Sequence, residues 1–120
     1  MRRLDTVLFT ALRDLVPNMR VYPIVLPQDC VYPAIRYTTN YAIPENSLCG
    51  NSGLVRSNVQ IDIFAREHSV MSSLREEVVR VMLGLPLENL LSFEQDDYEA
   101  DLRLFRKLLQ YSVAEQEGRT

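Results

Sequence analysis

Tryptophan is absent from this chain of 120 residues; histidine occurs once, cysteine twice and glycine four times. A zinc site commonly takes three or four Cys or His ligands at short spacing, and the lone His68 with the distant Cys30 and Cys49 does not supply one. Two cysteines form one bridge at most, too few for a disulfide scaffold, so both are expected as free thiols in a reducing compartment. Gly50 and Gly53 match neither the GxxxxGK nor the GxGxxG spacing that cradles phosphate; they announce backbone freedom in a turn. Positive charge is also short, with 13 Lys plus Arg against 16 Asp plus Glu and a formal net charge of -3. Duplex binding needs a basic footprint, and Tyr32, Tyr37 and Tyr41, which have the chemistry to stack on bases, suit a strand equally well. No run is long and apolar enough to cross a bilayer. The N-terminal MRRLDTVLFTALRDL interrupts its apolar residues with Asp5, Arg13 and Asp14, so it reads as a structural helix rather than a signal peptide, and no membrane partner is expected.

What remains is the composition of one folded soluble domain, 47% apolar and 24% charged, spanning 1–120. Leu4, Leu8, Ala11, Leu12 and Leu15 recur at intervals of three and four and predict a helix with one buried side, stopped near Pro17 and Asn18. Pro23 and Pro27 restrict 20–26 to a short edge segment; 31–41 is the next strand, entered at Pro33. Turn formers crowd PENSLCGNSG, so a flexible surface loop is expected over 44–54. The cleanest alternation runs over 54–66, where Val59, Ile61, Ile63 and Ala65 face one way and Asn58, Gln60, Asp62 and Arg66 the other. Phe64 sits on the polar side, which implies cover by a satellite core contact, the first helix or another subunit.

A second helix is predicted over 69–82, with Leu74, Val78, Val81 and Met82 on its apolar side, Ser73 and Glu76 at capping-box spacing, and Gly84 with Pro86 as the stop. Residues 90–98 read as a strand. The segment 102–113 fits two patterns: Phe105, Lys107, Leu109, Tyr111 and Val113 line one side of a strand, whereas Leu102, Phe105, Leu108 and Leu109 line a helix. The closing AEQEGRT is expected to fray.

Catalytic constellations do not form. His68 has neither a nucleophile-elbow context nor a third orienting group, and the acidic run Glu94, Asp96, Asp97, Glu99 and Asp101 lacks the Gly-containing twelve-residue calcium loop. That run reads as a solvated turn or as a protein-facing patch, with Arg103, Arg106 and Lys107 close enough in sequence for reciprocal salt bridges between copies. No cofactor and no metal are implied, and the competing classes are a small enzyme of unknown reaction and a regulatory or nucleic-acid-associated adaptor.

The ordered segments LRDLVPNMRVYPIVLPQD, YPAIRYTT, RSNVQIDIFAR, LREEVVRVML and LFRKLLQYSV carry more information than any reactive side chain. From Leu4 to about Val113 the chain resembles the bacteriophage tail completion or tail terminator family, also described as head-tail joining or neck proteins. The resemblance implies an α+β fold, a small antiparallel or mixed sheet packed with two helices in the order α-β-β-β-α-β-β, and therefore a strand at 104–113. It also implies a non-enzymatic structural protein that caps a tail tube and joins it to the head connector. Such a protein self-associates as a ring, often a hexamer, through which DNA passes without sequence recognition. Its place is the tail-neck region of the virion, reached from the host bacterial cytoplasm during assembly. On this reading the candidate assembly surface comprises Asn46, Asn51, Asp96, Asp97, Glu99, Arg103, Arg106 and Lys107.

Overall fold

The computed structural model describes residues 3–47 and 50–116, with side chains described for 4–44 and 53–115. Helix α1 spans Arg3–Leu12, and its three- and four-residue spacing puts Leu4, Leu8 and Leu12 on one side with no exposed surface. Two short 3-10 turns, Arg13–Leu15 and Pro17–Met19, lead into strand β1 at Val21–Pro23. Then follow β2 at Ala34–Ser47, β3 at Gly50–Ala65, helix α2 at His68–Leu83, β4 at Glu88–Glu99 and β5 at Leu104–Gln116. The fold is therefore α+β with the order α-β-β-β-α-β-β.

The five strands form one mixed sheet ordered β1-β2-β3-β5-β4, in which only β1 and β2 run parallel. Both helices cover the same face. Alternation in β3 sends Val59, Ile61, Ile63 and Ala65 to that side, where they meet Leu4, Leu8 and Leu12 from α1 and Met71, Leu74, Val78 and Met82 from α2. Ile35 and Tyr37 from β2 and Leu109, Tyr111 and Val113 from β5 complete the buried layer. A strand at 104–116 instead of a helix follows from pairing: β3 and β4 both take up its main-chain groups, and a helix would leave β3 with an open edge at the core.

Two expectations need correction. Of the segment 44–54 expected as a loop, the described residues 44–47 and 50–54 lie in strands. Pro44 pairs with Val55, Glu45 with Leu54, Asn46 with Asn51 and Ser47 with Gly50, so β2 and β3 stay paired as far as Ser47 and Gly50. A main-chain ladder needs no apolar period, and the irregularity that the turn formers signal is absorbed at a register shift beside Gly53, whose φ of 81° suits glycine. Helix α2 starts at His68, with Glu67 at the N-cap and no side-chain cap bond, so the Ser73–Glu76 spacing lies inside the helix and caps nothing. The helix bounds otherwise agree with the expected 69–82 to within one residue at each end, and Met71, 1% exposed, packs its first turn against the core. For Phe64 the satellite contact is the cover present: it is 4% exposed on the sheet face opposite the helices, packed against Tyr32, Arg36 and Arg106 of its own chain. The expected fraying at 117–120 and the thiol of Cys49 lie outside the described residues.

Candidate assembly surfaces

On the helix-free face the alternation that buries Ile61 and Ile63 turns Asp62 the other way, between Arg36 of β2 and Arg106 of β5. Asp62 is nonetheless fully buried. Arg36 donates from Nε and Nη2 to Asp62 Oδ2 at 3.1 and 3.0 Å, and Arg106 reaches Oδ1 from Nε at 3.1 Å and from Nη2 at 3.0 Å. Gln60 Nε2 donates to both carboxylate oxygens at 3.2 and 3.1 Å. Beneath them lies Phe64, with the two guanidinium carbons 5.3 and 5.9 Å from its ring centre, and Tyr32 packs 6.4 Å from the same ring. Two arginines thus share one carboxylate, and Asp97 of β4 stands in register beside Arg106 on the same face.

A second charge network ties α2 to β4 and β5 on the helix side. Arg75 grips Glu94 as a fork, Nη2 to Oε2 at 2.7 Å and Nε to Oε1 at 3.2 Å, and Lys107 Nζ bridges Glu94 Oε1 at 3.1 Å and Asp96 Oδ1 at 2.7 Å. The hydrogen bond from Arg75 holds the Glu94 carboxyl below its ordinary range, and the bond to Asp96 lifts the Lys107 ammonium above its own. His68, at the start of α2, sets its ring edge-on to Phe105 at 5.6 Å, a packing contact. Among the described residues no three His, Cys, Asp or Glu side chains converge where a metal ion would sit. Among the described residues no helix is long and apolar enough to cross a membrane.

The eight sequence-predicted assembly residues do not form one patch. Asp96 and Lys107 pair with each other on the helix side. Asp97 and Arg106 are register partners on the opposite face, where Arg106 is held by Asp62, and Glu99 pairs in register with Leu104 at the far end of β4. Arg103 sits in the β4–β5 turn with a φ of 50°, exposed. Asn46 and Asn51 face each other in register at the end of the β2–β3 hairpin; their side chains lie outside the described residues. Sequence reading missed Arg36, Asp62 and Arg75. The alternation placed Asp62 on the polar side, but its partners stand 26 and 44 residues away, and only the strand register brings them together.

Comparison with known proteins agrees with this architecture. The family described as Tail completion protein gp17 matches residues 7–116, nearly the whole chain, and the chain belongs to that family. A chain in the solved structure "Virion of native gene transfer agent (GTA) particle" has the same fold, with a TM-score of 0.71, 10% sequence identity, and coverage of 97% of this chain and 99% of that one. Among curated proteins, none matches. The protein is thus a structural, tail-associated phage protein of virion assembly.

Proposed function

We propose that this protein closes the end of an assembled tail tube and joins it to the head connector as a ring, sixfold to match the tube. Membership in the tail completion family carries the reading. Several features of the protomer support it. One sheet face is sealed by helices, so heterologous contacts fall to the other face, the two sheet edges and the β2–β3 hairpin end, and contacts of that kind close around an axis. The molecule measures 52 × 26 × 25 Å, long enough to touch a ring neighbour along its side and another component at its tip. The hairpin end with Asn46 and Asn51, and the acidic β4–β5 end with Asp97, Glu99 and Arg103, are the proposed contacts to tube and connector. DNA passes through the ring unread, and carboxylates facing the passage repel its phosphates. The ring sits in the tail-neck region and is loaded in the host cytoplasm.

Mass measurement and negative-stain imaging of the purified protein, alone and with tail tubes, test this. Rings, or caps on tube ends, are expected. Bare tube ends together with an exclusively monomeric protein at high concentration would refute it.

A further inference from the structure

The two edges of the sheet differ in a way that fits one to the other. Across the outer strand, the stretch 87–102 carries Glu88, Glu94, Asp96, Asp97, Glu99 and Asp101 and no basic residue. Glu94 and Asp96 are neutralised by Arg75 and Lys107; among the described residues no ion pair joins Asp97, Glu99 or Asp101. Two copies meeting through β4 by a two-fold axis would oppose these like charges, which disfavours that contact.

At the other edge Arg20 precedes β1, its Nε and Nη1 donating to the neutral carbonyls of Pro17 and Tyr32 at 2.9 and 3.4 Å, so its charge meets no carboxylate in those bonds. Just after β1 the chain reverses at Ile24. The Ile24 N–H reaches Tyr37 O at 2.9 Å and the Val25 N–H turns back to Pro23 O at 2.6 Å. Ile24 adopts φ 64°, a costly conformation for a β-branched residue. That turn holds Ile24 and Val25 outward at 64% and 70% exposure.

The opposite edge has the counterpart. Between the end of α2 and the start of β4 lies a hollow of about 200 Å³ lined by Met82, Leu83, Leu90, Leu91 and Tyr111. Leu83 and Leu90 stand 79% and 68% exposed at its rim, and the buried Tyr111 hydroxyl has no hydrogen-bond partner. The register puts knob and hollow at one height. Thr39, Val59, Tyr111 and Leu91 form one rank across the sheet, level with the turn that follows Pro23↔Tyr37. Ala34, Phe64, Arg106 and Asp97 form another, level with Arg20.

We propose that a second copy of this chain occupies the hollow: the Ile24–Val25 turn of one protomer seats between Leu83, Leu90 and Tyr111 of the next, and Arg20 lies against its Asp97. A shift across the strands with no slide along them makes both matches together. The turn also brings main-chain carbonyls, the kind of acceptor that the Tyr111 hydroxyl lacks. Because knob and hollow sit on opposite edges, the contact is head to tail, the type that closes into rings. This inference rests on the ring reading above and names its subunit contact.

Cross-linking tests it. In a Cys30→Ser, Cys49→Ser background, Val25→Cys plus Leu90→Cys in one chain is treated with a short bismaleimide, free and on tail tubes, with circular dichroism to verify folding. The double variant is expected to give a ladder of chain multiples, and each single variant to stay monomeric. As a second arm, Arg20→Asp or Asp97→Arg alone is expected to reduce native assembly at least tenfold, and their combination to restore it. A ladder without tube caps supports this contact and overturns the capping reading. Wild-type rings or caps with no ladder, or single variants that cross-link to dimers, overturn the contact and leave the capping reading standing. Absence of rings, caps and ladder together overturns both.

Discussion

Asp62→Ala is expected to be among the most destabilising single changes on the helix-free face. The carboxylate is fully buried, and four guanidinium contacts at 3.0–3.1 Å plus the Gln60 amide converge on it. Breaking a buried ion network by removing one partner generally costs about 3–5 kcal/mol, because the remaining charges are left uncompensated. Here Arg36 and Arg106 keep 26% and 23% of their side-chain surface exposed and regain some water, which lowers the expectation to roughly 2–4 kcal/mol. For 120 residues the unfolding entropy is about 0.25 kcal/mol per degree, so a loss near 3 kcal/mol lowers Tm by about 12 °C. Arg36→Ala or Arg106→Ala alone leaves Asp62 one arginine and costs about half as much. Urea unfolding of the single variants and of Asp62→Ala/Arg36→Ala measures the coupling, expected above about 1 kcal/mol. A loss below about 1 kcal/mol for Asp62→Ala at unchanged m-value would refute the reasoning.

The Glu94 network predicts a pH dependence. Its folded pKa is depressed below the ordinary 4.5, so its stabilisation is present at neutral pH and is lost as pH falls through the folded value; wild type and Glu94→Gln should therefore differ in Tm at pH 7 and converge at strongly acidic pH. Convergence already near pH 6 would be inconsistent with a depressed value. Replacing 46–51 by an Asn-Gly turn shortens a hairpin whose flank Tyr41–Pro44 is exposed; the expected change in urea stability is under about 1 kcal/mol, with tube capping lost in negative stain. Retained capping would remove the hairpin end from the proposed contacts.

Reversing Arg103, Arg106 and Lys107 together does not isolate an assembly surface. Arg106 is bound to Asp62, and Lys107 to Glu94 and Asp96, so reversing them strikes the fold itself. Arg103, exposed in the β4–β5 turn, is the one of the three suited to a surface test.

Period and composition by themselves determined the helix stripe Leu4–Leu8–Leu12, the two-residue alternation of β3 and the apolar side of α2, because burial on one face imposes a period that is written locally. The strand at 104–116, two-patterned in its own residues, was decided by partners on both sides. The pairing of 44–47 with 50–55 was decided by main-chain groups that leave no apolar trace. So was the sharing of Asp62 by two arginines, one 26 and the other 44 residues distant: a charge's partner depends on register, and register is a property of the assembled sheet.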